Sequence, residues 1–132
     1  MPENHLVFVY GTLKQGFSNH YYLSGSKFLG TGRTKEKYAM YVSGIPFVIM
    51  SEPISPIQGE LYQVDDITLA KLDSLEGHPG WYRREKVDVC LYDDCSQDNV
   101  RQAWIYFCDD RSGTLIPSGI FVDRRHSKAY PV

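Results

Sequence analysis

Cysteine is scarce: Cys90, Cys95 and Cys108 are the only three, and no two form a C-x-x-C pair. An odd set at these spacings gives no sign of a disulfide framework or a zinc site. The expectation is three reduced thiols, some of them buried. Long apolar runs are also missing, so no segment reads as a bilayer-spanning helix. The first residues, Met1 to His5, lack the basic-then-apolar pattern of a secretion signal, and the expected location is the cytoplasm. Charge of one sign is scarce too. The formal net charge is -2, which offers no field for nucleic acid or acidic membranes, so neither is expected as a partner. Arg124, Arg125, His126 and Lys128 form a basic cluster too small to alter that. No H-x-x-x-H spacing or His/Asp cluster points to a metal, and no cofactor is expected. No Ser, His and acid arrangement is recognisable from spacing.

What is present suits one domain over residues 1–132 with one hydrophobic core. Ten tyrosines offer flat apolar bodies with polar tips, useful in strands and pocket walls. Leu6-Val7-Phe8-Val9-Tyr10 is a continuous apolar run, which predicts a strand buried on both faces. It stops at Gly11-Thr12. Residues 11–16 read as a loop and 19–23 as a short helix or turn. One or two half-exposed strands follow over 27–42, then strands at 47–50 and 57–64, with prolines at 53 and 56 marking the turn between them. Asp65-Asp66 offers a helix N-cap, 67–75 reads as a helix, and Gly77 stops it. Val87, Val89 and Leu91 alternate with polar residues as a strand does, and 100–107 reads as its hairpin partner. Residues 108–132 show no period and are expected to form an irregular tail wrapped on the domain. Many strands, one convincing helix and no βαβ alternation predict an α+β fold with a mostly antiparallel, strongly curved sheet or small barrel.

Two segments carry chemistry. In the first, Tyr10-Gly11-Thr12-Leu13-Lys14-Gln15-Gly16, a buried strand runs directly into Gly-Thr. Glycine lets a ligand approach the backbone, and the amides there can hold a carboxylate or a developing oxyanion. A plain strand-to-loop turn would read the same way. Gly11 and Gly16 also have the spacing of a phosphate-binding P-loop, but Phe17 stands where the lysine would be. Without that cation nucleotide binding loses its main electrostatic support.

The second segment is Leu72-Asp73-Ser74-Leu75-Glu76-Gly77-His78-Pro79-Gly80-Trp81-Tyr82-Arg83. On a helix, Leu69, Leu72 and Leu75 share a face, and Glu76 falls within that apolar arc. A carboxyl there faces the core side and sits at the helix C-terminus, where the dipole opposes negative charge. Both effects raise its pKa toward the range of a general acid or base. Two other readings stay open: Glu76 turns outward as the helix frays, or it pairs with Arg83 or Arg84. Asp73, at the edge of the same face, is expected to be solvated, and His78 to be a loop residue.

Taken in order, Val7-Phe8-Val9-Tyr10-Gly11-Thr12-Leu13-Lys14-Gln15-Gly16, the strand Gly59-Glu60-Leu61-Tyr62-Gln63-Val64, and Leu72-Asp73-Ser74-Leu75-Glu76-Gly77 followed by Trp81-Tyr82-Arg83-Arg84 resemble the γ-glutamylcyclotransferase-like superfamily. Gly16, Asn19-His20 and Leu23 are most similar to its γ-glutamylamine cyclotransferase branch. The resemblance implies a compact mixed barrel flanked by short helices. It implies that Tyr10, Gly11, Thr12 and Leu13 line the pocket for a glutamyl group, that Tyr82 is a further pocket residue, and that Glu76 is the catalytic acid/base. It implies a small-molecule γ-glutamyl substrate, cyclised to 5-oxoproline without metal or cofactor. After Phe107 the match is poor; Ile116-Pro117-Ser118-Gly119 resembles the tail of some relatives only loosely, leaving the substrate open. Alternatives are a non-catalytic binding domain of the same fold, or removal of a γ-glutamyl group from a carrier-bound or secondary-metabolite substrate.

Overall fold

A computed structural model describes residues 4–122. Strands β1 (Asn4–Val9), β2 (Lys27–Thr34), β5 (Gln58–Asp65), β6 (Arg83–Leu91) and β7 (Val100–Phe107) close into a barrel in the order β1-β5-β2-β6-β7. Neighbours pair antiparallel except β1 and β7, which meet in parallel at Val7 and Trp104. Closure leaves no barrel strand with an open edge. A smaller sheet, β4 (Ile45–Ile49), β3 (Ala39–Ser43) and β8 (Thr114–Leu115), lies in the order β4-β3-β8. The architecture is the α+β, mostly antiparallel barrel that the sequence predicts.

The apolar run of β1 now has its reason. Phe8 belongs to the barrel interior with Leu61, Val89 and Ile105. Val7 and Val9 belong to an outer layer, where Leu69 and Leu72 of helix α1 (Asp66–Glu76) cover the barrel wall. Both faces of the strand are dry, so alternation disappears. Burying each such side chain is worth about 2 kcal/mol. Tight strand crossing requires glycine at two points. A Cβ on Gly32 would lie 2.4 Å from the Cys90 carbonyl oxygen, and one on Gly59 would lie 2.3 Å from that of Val9.

Helix α1 starts where the capping residues predict. The Asp65 side chain accepts from the Thr68 amide at 2.8 Å. It ends at Gly77, whose φ of 69° lets its amide turn back to the Asp73 and Ser74 carbonyls. After the glycine loop there is only a 3₁₀ turn, His20–Leu23, rather than a long helix.

Two expectations are corrected. Cys90 and Cys95 form a disulfide, so Cys108 is the one free thiol and it is buried. Tyr92 and Asp93 between them both take positive φ, 56° and 58°. This left-handed pair folds the turn back and brings the two sulfurs together, which cysteine spacing does not reveal. The stretch after Cys108 is also not wholly irregular. Thr114–Leu115 pairs with β3, and Phe121 is buried beside Phe17. The basic cluster at Arg124, Arg125, His126 and Lys128 lies outside the described residues.

Candidate active site

The site forms where β1 runs out of the barrel and meets the end of α1. The first turn after β1 is closed by the Lys14 amide donating to the Gly11 carbonyl at 3.1 Å. Asn19 reaches back to it twice: its amide donates to the Thr12 carbonyl and its Nδ2 to Thr12 Oγ1, each at 2.9 Å. The amides of Gly11, Thr12 and Leu13 donate to no acceptor among the described residues. Gly11 is also a point of close approach. A Cβ there would meet Pro46 Cγ at 2.9 Å.

Opposite this loop stands the segment after α1. Tyr82 donates its hydroxyl to the Pro46 carbonyl at 2.7 Å and stacks on Phe47 at 5.9 Å. Trp81 packs edge-on against Tyr82, and the Trp81 amide donates to the Gly77 carbonyl at 2.8 Å. The Tyr82 amide donates to the Glu76 carbonyl at 3.2 Å. Tyr10 donates its hydroxyl to the Tyr106 carbonyl at 2.6 Å, tying β1 to β7.

Between the two segments lies a cavity of about 170 Å³, some tenfold the room one water needs. Tyr10, Gly11, Thr12, Leu13, Glu76 and Tyr82, all singled out from the sequence, line it together. Sequence reasoning missed Asn19, Pro46, Trp81 and Tyr106, which line it too. Trp81 sits beside Tyr82 in the quoted motif and could have been found from it. Pro46 and Tyr106 come from β4 and β7, distant in sequence, and carry no local signal.

Burial pushes the Glu76 carboxyl up to about 7. Neither neighbouring arginine relieves it. Arg83 pairs with Glu85 at 2.8 Å. Arg84 grips Asp73 with two bonds, Nε to Oδ1 at 2.8 Å and a terminal nitrogen to Oδ2 at 3.1 Å. Asp73 is therefore not the solvated residue that the sequence suggests. It also accepts the Tyr106 hydroxyl at 2.7 Å. Burial opposes ionisation of Asp73, but the Arg84 and Tyr106 hydrogen bonds outweigh it and hold its carboxyl below the usual range. The Tyr10 and Tyr82 phenols are raised, first by burial and then by nearby acidic groups, Glu76 among them. The cavity is thus lined by one carboxyl able to change protonation near neutrality, by two phenols that stay protonated, and by three residues whose amides have no acceptor among the described residues.

Comparison with known proteins places this geometry among relatives. Residues 7–123 match the family described as gamma-glutamyl cyclotransferase, AIG2-like. A Methanocaldococcus jannaschii protein named "Putative gamma-glutamylcyclotransferase" is 52% identical over 120 residues, covering 90% of this chain and 97% of that one. The Homo sapiens gamma-glutamylaminecyclotransferase is 38% identical over 98 residues, covering 67% of this chain and 64% of that protein. A crystal structure of an AIG2-like protein from Mus musculus superposes with a TM-score of 0.74 at 28% identity, covering 81% of this chain and 78% of that one.

Proposed function

Because the chain belongs to the gamma-glutamyl cyclotransferase, AIG2-like family, we propose that it converts a γ-glutamyl amine or γ-glutamyl amino compound to 5-oxoproline and the free amine, with Glu76 as general acid/base. The observation that carries the reading is the Glu76 carboxyl, raised to about 7 and lining the same cavity as the Gly11, Thr12 and Leu13 amides. The name of the human relative supports an amine as leaving group. Tyr10 and Tyr82 serve as pocket walls.

The reaction is an intramolecular aminolysis. Both reacting groups are in one molecule, so holding it folded supplies a large effective molarity, on the order of 10⁵ M or more. The obstacle is protonation of the α-amine. Glu76, as carboxylate, takes a proton from the α-ammonium, and the freed amine attacks the γ-carbonyl carbon. The new carbon–nitrogen bond closes a five-membered ring and leaves an oxyanion facing the loop amides. The ring nitrogen then gives up a second proton, the bond to the leaving nitrogen breaks, and the amine departs as an ammonium carrying both. Glu76 is a carboxylate again, and all four nitrogen-bound protons are accounted for: one on the lactam and three on the departing ammonium.

Glu76→Gln keeps the shape and removes the relay. It is expected to fold normally and lose turnover at least about a hundredfold, measured as 5-oxoproline release from a panel of γ-glutamyl amines and amino acids. Near-normal turnover in that variant would remove Glu76 from the mechanism. Binding of the panel by the wild type without any 5-oxoproline would make the protein a binding domain.

A further inference from the structure

The Glu76 carboxyl is aimed by its helix alone: no described residue donates a hydrogen bond to it. The end of that helix has little apolar anchorage. Leu69 and Leu72, the buried apolar residues of α1, both precede its last turn, and Leu75 is only partly buried. Resting on the cyclotransferase reading, we propose that Asp73, gripped by Arg84 and Tyr106, is a positioning residue for the reaction. It holds the last turn of α1 so that the Glu76 carboxyl stays turned into the cavity.

Three observations carry it. First, the grip comes from two strands at one register. Arg84 of β6 and Tyr106 of β7 stand directly opposite each other in the barrel wall. Arg84 donates Nε to Asp73 Oδ1 at 2.8 Å and a terminal nitrogen to Oδ2 at 3.1 Å, and the Tyr106 hydroxyl donates to Oδ1 at 2.7 Å. Both carboxylate oxygens are engaged, so the side chain is fixed in direction as well as in place. Second, Tyr106 fastens both halves of the site. Its carbonyl accepts the Tyr10 hydroxyl at 2.6 Å, on the segment that leads into the glycine loop, while its own hydroxyl holds the helix three residues before Glu76. One residue of the barrel wall thus sets the helix end against the loop. Third, the pair is shielded, the Arg84 and Asp73 side chains being 19% and 21% exposed. Such a pair adds little stability over apolar packing of equal volume, but it fixes a geometry.

The position of the carboxyl also governs its ionisation. The groups that sense the Glu76 charge are Tyr10, Tyr82, Tyr106 and Cys108, and burial raises all four, which keeps them neutral at pH 7. The charged groups at the helix end, Asp73 and Arg84, are paired with each other. His78, whose Nδ1 accepts the Arg84 amide at 3.2 Å, acts on Asp73 rather than on Glu76. A helix end set loose therefore brings Glu76 back toward the ordinary carboxylate range.

The test measures kcat, KM and kcat/KM against pH for 5-oxoproline release from the γ-glutamyl compound that the wild type turns over fastest. The acid limb of the wild type is expected at about pH 7, where Glu76 loses its proton. Tyr106→Phe removes one bond of the grip without changing charge and keeps the carbonyl bond to Tyr10. Its acid limb is expected to move down by at least about half a pH unit, with KM held within about threefold because the glycine loop is untouched. Arg84→Met separates position from charge. Loss of a cation would by itself make Glu76 harder to ionise and move the limb up, whereas loss of the grip moves it down. A fall of about one pH unit is expected, with kcat at least about tenfold lower. A limb that stays or rises in Arg84→Met overturns the inference. So does a limb that stays put in Tyr106→Phe, the variant that decides the matter if Arg84→Met does not fold. Either result leaves the cyclotransferase reading intact, and no 5-oxoproline from the wild type would overturn both.

Discussion

A carboxyl that must lose its proton inside a half-dry cavity destabilises the fold in a pH-dependent way, and Glu76 allows the sign to be worked out. Its folded pKa, about 7, lies above the ordinary value of 4.5. Between those values the folded state binds more protons than the unfolded one, so stability attributable to this residue falls as pH rises from about 4.5 through about 7. Above that it stays low. Glu76→Gln removes the cost. The variant is expected to match the wild type near pH 4 and to exceed it by about 2 kcal/mol at pH 8, after allowing for the cavity's partial openness. Denaturant unfolding at both pH values checks this, and a variant less stable than the wild type at pH 8 would contradict the assigned burial. That Glu76 falls within the apolar arc of the helix was legible from the spacing of Leu69 and Leu72. Which of the readings applied was not, because that depends on the partners of Arg83 and Arg84.

Helix α1 is fixed to the barrel at both its ends, and the C-terminal fixing is chemical as well as apolar. One turn before Glu76, Asp73 is held by Arg84 of β6 and Tyr106 of β7. The Arg84 guanidinium in turn lies 4.2 Å from the Trp104 ring centroid. The main chain adds to this. The His78 amide donates to the Asp73 carbonyl at 2.9 Å, and the Arg84 amide donates to His78 Nδ1 at 3.2 Å. Asp73→Ala leaves a half-buried guanidinium and a phenol without their acceptor. The expected loss is about 1–3 kcal/mol at pH 7, seen as a lower Tm. The Asp73 carboxyl is held below its usual range, so its contribution is present at neutral pH and disappears as pH falls through that lowered value. The gap between variant and wild type should therefore narrow in strong acid. A gap unchanged by acid would mean that the carboxylate's charge contributes nothing. Helical projection put Asp73 at the edge of the apolar face but could not show an arginine eleven residues later on a barrel strand.

At the scale of the whole molecule the barrel is closed by β1 pairing with both β5 and β7, strands from separate parts of the chain. The β6–β7 hairpin adds a covalent tie, the Cys90–Cys95 disulfide, at the turn away from the cavity. A loop this short is worth about 2 kcal/mol by the chain-entropy account. Cys95→Ser, or reduction, is expected to lower Tm by roughly 5–10 °C and to leave 5-oxoproline release unchanged at 25 °C. A Tm that ignores reduction would show that the bond adds nothing to the fold. Among the described residues no helix is long and apolar enough to cross a membrane. The sequence by itself determined most of the strands, the helix with its Asp65 cap and Gly77 stop, and the position of Glu76 within an apolar helical arc. Those depend on periods of two and 3.6 and on residues whose backbone freedom acts locally. Only the tertiary structure decided that the Gly11 loop and Glu76 share one cavity, that Pro46 and Tyr106 wall it, that Asp73 takes Arg84, and that two cysteines join. Each of those needs strands distant in sequence, or a left-handed turn, to bring groups within bonding distance. No periodicity records such proximity.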